Sequence, residues 1–182
     1  MKSLVKLLSL FSIMTLGLLA GCSGTASKSP DVSDSIRRSL DEARLNDVTV
    51  KQDRDKGVVT LGGHVKSDSD KSQAEAIAKS NAGSQVVANE IAVVPPGAES
   101  EARAVNSDLD KGIDKNLDAA FITAGLNKDV KYDVKNGVVT LTGDVNSQSK
   151  KMRAESVAAK VPNVQQVVNE LEVKNPKATS TK

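Results

Sequence analysis

The chain holds one histidine, His64, and one cysteine, Cys22. Metal centres and nucleophilic triads draw on several such side chains at once, and neither residue has a second of its kind to work with. His64 falls on the polar side of an alternating stretch, with Asp144 at the matching place later in the chain, so it reads as a surface residue. Asp and Glu stand mostly at helix starts and turns, where they cap and are solvated. No metal site, cofactor or catalytic set can be assembled, and the chain reads as a non-enzyme. What remains is the chemistry of charge. Lys150, Lys151 and Arg153 open a helix, where the helix dipole disfavours cations by a few tenths of a kcal/mol or more. Asp68 and Asp70 occupy the corresponding helix start earlier in the chain. Three cations beside free helix amides could receive a lipid phosphate. The competing reading is a solvated charge run whose sign drifted. Lys128 and Lys131 are candidates to join that patch.

The first residues carry a different chemistry. Lys2 and Lys6 precede an apolar run from Leu7 to Leu19, too short to span a bilayer, and Leu19-Ala20-Gly21-Cys22 follows. This is the pattern of an export signal, and its last residues resemble the lipobox of bacterial lipoproteins. That resemblance implies cleavage after Gly21, a diacylglycerol on the Cys22 sulfur and acylation of the new amino terminus by a chain such as palmitate. An ordinary secretory signal with a stray cysteine is the alternative. Acylation also accounts for a cysteine with no disulfide partner in an exported chain. Several acyl chains on one residue anchor firmly where one alone binds marginally. Ser23 follows where an Asp would favour the inner membrane in the enterobacterial sorting pattern, so the expected place is the outer membrane, facing the periplasm. Loss of Lys2 and Lys6 takes the formal charge from +2 to zero, which argues against nucleic-acid binding.

The elements that must position these residues are organised by a repeat. G-V-V-T-L-G-G-H-V at Gly57 to Val65 returns as G-V-V-T-L-T-G-D-V at Gly137 to Val145, 80 positions on, and about half of the aligned positions are identical. In copy one, Ser29-Pro30-Asp31 reads as a helix start, with Val32, Ile36, Leu40 and Ala43 on one face. Val48 and Val50 begin a strand, the repeated motif forms the next, and Ser67 to Asp70 caps a second helix on Ala74, Ile77, Ala78 and Asn81. Val87, Ile91 and Val93 give a last strand. Copy two repeats the plan: a helix capped by Ser107 to Asp110 on Leu109, Ile113, Leu117 and Phe121, a strand on Val130, Tyr132 and Val134, and a tight hairpin at Asn136-Gly137. The motif strand, a helix on Ala154, Val157, Ala158 and Val161, and a strand on Val167, Leu171 and Val173 close it.

Each copy is therefore α-β-β-α-β, and the fold class is α+β: two tandem two-layer sandwiches, each with a mixed three-stranded sheet. The expected divisions are a signal over 1–21, the lipidated Cys and tether over 22–29, domains over 30–95 and 108–175, a linker over 96–107 and a polar tail over 176–182. With Phe11, Phe121 and Tyr132 as the only aromatics, the cores must be aliphatic. Gly57 and Gly137 mark turns. Gly63 and Gly143 face inward, where a missing side chain admits a helix or a bulge. Asn89 and Asn169 also face inward and need partners, which points to a tie between the sheet edge and a neighbouring loop, with a ligand role as the alternative.

The run G-V-V-x-L-x-G-x-V, followed by a helix and V-x-N-E-[IL]-x-V, resembles the BON domain of bacterial envelope proteins, and it does so in both copies. That resemblance implies binding to phospholipid, anionic lipid above all, without catalysis. A lipobox followed by two such domains is similar to outer-membrane lipoproteins that maintain envelope integrity; without it, the likeness would be to soluble periplasmic proteins induced by osmotic stress. The family glycine before the last strand is matched by Gly83, whereas copy two has Asn163, which tolerates the same left-handed backbone. No Trp is present to seat in the headgroup layer, so lipid contact must rest on charge or aliphatic side chains. The expected function is that of a lipid-anchored, phospholipid-binding envelope protein whose expected partners are the membrane and other envelope proteins. The alternative is a periplasmic interaction scaffold that meets lipid only through its anchor. RNA binding of the KH kind would need a G-x-x-G loop and a basic surface, and the chain has neither.

Overall fold

A computed structural model describes residues 28–174. The expected signal, the acylation at Cys22 and the polar tail over 176–182 lie outside the described residues. Copy one runs α1 (Ser33–Glu42), β1 (Val48–Asp53), β2 (Val58–Val65), α2 (Asp68–Ala82), β3 (Val86–Asn89) and β4 (Ala92–Val93). Copy two runs α3 (Glu99–Thr123), β5 (Lys131–Lys135), β6 (Val138–Thr142), β7 (Asp144–Val145), α4 (Gln148–Ala158), β8 (Gln166–Asn169) and β9 (Glu172–Val173).

The helical face of each copy covers one face of its sheet. In copy one, Ile36 and Leu40 of α1 and Ala74 and Ala78 of α2 meet Val59, Leu61 and Ile91, all essentially sealed from solvent. Alanines on α2 and α4 let those helices approach closely, so small side chains replace the bulk that aromatic residues usually bring to a core of this size. In copy two, Phe121 packs on Tyr132 with ring centroids 5.5 Å apart.

The sheets are mixed, as expected. β1 runs antiparallel to β2 and β3 parallel to it, with Val50 opposite Leu61 and Leu61 opposite Asn89. The crossover through α2 therefore joins neighbouring strands. The last strand of each copy is broken: β2 pairs first with β3 and then with β4. In copy two the motif strand is also cut at Gly143, so β7 pairs with β9 as a separate ladder.

Two expectations fail locally. Ser29 does not cap α1. That helix starts at Ser33, and the Val32 amide is satisfied from afar by Gln52 Oε1 at 3.1 Å. The linker over 96–107 is itself helical from Glu99, so Ser107 to Asp110 is helix interior and no cap. Asp110 instead accepts from the backbone amides of Asn136 and Gly137, at 2.8 and 2.9 Å, and fixes the hairpin. By contrast, Ser67 caps α2 as expected, accepting from the Asp70 amide and donating to the Asp70 carboxylate. Asn136 and Gly137 both have positive φ, as a tight hairpin requires.

Candidate functional site

The cations that open α4 are only partly available. Ser147 caps the helix by accepting from the Lys150 amide at 3.2 Å, which occupies one of the amides a phosphate would use. The Lys150 ammonium pairs with the Asp129 carboxylate. The Lys151 ammonium donates to the Leu171 carbonyl at 2.7 Å and so ties α4 to the break before β9. Arg153 is exposed and has no hydrogen-bond or ion-pair partner among the described residues. Beside it Met152 is 62% exposed, the largest such value among the large apolar side chains. The middle of α4 thus presents an unpaired guanidinium and an exposed thioether on consecutive residues. Lys128 and Lys131 are exposed too.

The repeated glycines and asparagines have structural work. Gly63 (φ 84°) and Gly143 (φ 118°), expected to face inward and admit a helix or a bulge, admit no helix, and Gly63 is exposed. Each lies under the carbonyl of the loop residue before the first strand, Asp47 or Asp129. A Cβ at Gly143 would sit 2.5 Å from that oxygen, and one at Gly63 closer still. Asn89 is buried, and its nitrogen ties to a helix where only a loop was expected. Its amide donates to the Lys71 carbonyl at 3.3 Å and the Glu75 carboxylate at 2.9 Å, while its oxygen accepts from the Ile91 amide. Asn169 repeats this with Lys151, Glu155 and Leu171. The asparagine bridges the strand break and pins it to the second helix. Gly83 and Asn163 both adopt positive φ. His64 is exposed. Among the described residues, no group of three or more His, Cys, Asp or Glu side chains is placed to hold a metal.

The most elaborate polar arrangement lies where the copies meet, which sequence reasoning missed. Val58 and Ala88 of copy one and Val138 and Val168 of copy two form a small buried cluster on the sheet faces turned away from the helices. Around it the ties are reciprocal. The Lys56 ammonium pairs with Glu170 at 2.6 Å, and Asn136, the position equivalent to Lys56, donates to the carbonyl of Glu90, the position equivalent to Glu170, at 2.8 Å. Lys135 adds an ion pair to the Glu90 carboxylate at 3.0 Å. The hydrogen bond to Glu170 holds the Lys56 pKa above its ordinary value, nearby carboxylates add to this, and burial opposes it.

Gln166 breaks the symmetry. Its oxygen accepts from the Asn89 backbone amide at 3.1 Å, and its nitrogen donates to the Val87 carbonyl at 2.6 Å. One carboxamide thereby makes the two bonds that a single residue of a parallel neighbouring strand would make to the open edge of β3. Copy one has Val86 at the equivalent position, which can make neither bond. Beside this junction lies a cleft of about 340 Å³ to which Lys71, Leu109, Asn136 and Gln165 contribute. Lys71 reaches across it to Gln165 at 3.3 Å, and desolvation lowers its pKa against the pull of Asp68, Glu75 and Asp110. One signal for the junction was present: Val58-Val59 and Val138-Val139 put a valine on both faces of the strand, as in a sheet covered on both sides.

A family model described as the BON domain matches residues 29–95 and 109–175. The osmotically-inducible protein Y of Escherichia coli K12 is 31% identical over 136 residues, which are 74% of this chain and 65% of that protein. The chain thus spans just under two thirds of that relative's length. Among solved structures, CdsD, a structural protein of the type III secretion system of Chlamydia trachomatis, shares 15% identity. The match covers 79% of this chain and 92% of that one, with a TM-score of 0.36.

Proposed function

The chain belongs to the BON domain family, and from that premise we propose that it is a non-catalytic envelope protein, anchored in the outer membrane through acylated Cys22 and facing the periplasm, whose second domain touches anionic phospholipid and so supports envelope integrity. The observation that carries this reading is the exposed pair Met152 and Arg153 in the middle of α4. Both side chains are exposed on α4, so a membrane is free to approach them. A cation near an anionic surface contributes about 1 kcal/mol, and a flexible thioether can enter the headgroup layer without the Trp that the chain lacks. Lys150 and Lys151 contribute field from their fixed places. The name of the relative, osmotically inducible, supports a part in the response to osmotic stress.

A second reading, a periplasmic scaffold for other envelope proteins, is favoured by the engagement of Lys150 with Asp129 and of Lys151 with Leu171. Flotation separates the two. The chain from residue 23 onward, which contains every described residue, should float with anionic vesicles and not with neutral ones, less so as salt rises. The exposed double change Met152→Ser with Arg153→Glu should weaken flotation by at least about tenfold. Failure to float on any vesicle would leave the scaffold reading in its place.

A further inference from the structure

The two domains meet through a surface that is, position for position, the same on both. Residue 56 meets 170 while 136 meets 90, and 58, 88, 138 and 168 share one apolar cluster. Reciprocity of this kind is what a twofold interface between two molecules shows. Here the covalent link between the halves is slight. The domains are joined by the few residues from Val94 to Ala98, with Pro95 and Pro96 followed by Gly97 at φ 81°, and α3 begins at Glu99. None of the contacts across the junction depends on both halves belonging to one chain. The side chains of Glu90 and Glu170 are only 14% and 13% exposed, so each needs a cation whichever chain supplies it. Short joints of this sort favour exchange of equivalent units between molecules.

We propose that a second copy of this chain is a partner: the first domain of one molecule pairs with the second domain of another through the 56/170 and 90/135 contacts, and the exchanged pair closes as a dimer with both junctions made. Within one chain the joint holds the halves at an effective concentration on the order of millimolar. Exchange therefore becomes visible when chains are crowded or when the internal junction is prevented from forming.

Charge reversal tests this directly. One chain carries Lys56→Glu with Glu90→Lys, and a second carries Lys135→Glu with Glu170→Lys. In each variant alone, every reversed group faces a like charge across its own junction. In an exchanged pair of the two variants, one junction is wholly native and the other is restored with its signs swapped. Sedimentation should show each variant as a monomer and the equimolar mixture as a one-to-one dimer. A mixture that sediments as the sum of its parts overturns the proposal. So that the outcome does not depend on variants alone, tagged and untagged wild-type chains should be unfolded and refolded together near millimolar concentration. Copurification of the untagged chain is expected, and its complete absence counts equally against exchange.

Discussion

Gly63 and Gly112 show how differently one residue type can matter. A side chain at Gly63 would need a left-handed backbone and would collide with the Asp47 carbonyl, whereas Gly112 lies within α3 with open space around it. Gly63→Ala should therefore cost about 2 kcal/mol or more, and Gly112→Ala should stabilise by roughly 0.5–1 kcal/mol. Urea unfolding of the two variants checks the sign of each change. Gln166 allows a sharper test of the junction. Gln166→Val leaves the Asn89 amide and the Val87 carbonyl without their partner, at about 1–3 kcal/mol if they stay buried, and the Asn89 amide should exchange its hydrogen faster. Val86→Gln should act the other way by offering the edge of β8 a matching carboxamide. Gln166 was not legible from sequence because a polar residue on an apparently outer face looks solvated until the partner surface is known.

At the scale of elements, periodicity found nearly every helix and strand, because Ile36, Leu40, Ala74, Leu117 and Phe121 stand at the spacing a buried face demands. It failed at boundaries. Ser107 to Asp110 has the composition of a cap, yet α3 passes through it from Glu99, since neither proline nor glycine interrupts the turns before Gly112. The strand breaks were hidden as well. An asparagine between valines looks like an inward strand residue, and only the structure shows its amide spanning to α2 or α4. The break gives copy one a pH signature. Hydrogen bonds from Lys79 and then Asn89, with help from nearby cations, hold the Glu75 carboxyl below its ordinary value, and burial opposes them only in part. A carboxylate with a lowered pKa in the folded state adds stability that is present above its unfolded value near 4.5 and lost as pH falls through the folded one. Glu75→Gln should therefore be less stable than the parent at neutral pH and should lose less stability on acidification. Thermal melts between pH 7 and pH 3 would show the two curves converging, and parallel curves would contradict the linkage.

The whole molecule is two copies of one domain docked face to face, and the copies differ both at the junction, where Gln166 stands for Val86, and on the outward helices. Asp68 and Asp70 suit a helix start in the first domain, while Met152 and Arg153 lie bare at the equivalent helix in the second. The duplication and its fold were readable because the motif strands and the V-x-N-E pattern recur at a fixed offset. Docking was not, because it rests on single side chains, Lys56, Glu90, Gln166 and Glu170, in positions that periodicity treats as surface. Beyond Met1 and Met14, the only methionine is Met152. Its methyl group in the chain from residue 23 onward is therefore a unique probe of the surface proposed to meet lipid. Methionine-methyl spectra should be recorded with vesicles that carry a spin label in the lipid. With anionic vesicles the Met152 resonance should broaden strongly, and with neutral vesicles it should stay sharp. A signal equally sharp on both would contradict a lipid contact on this helix of the second domain.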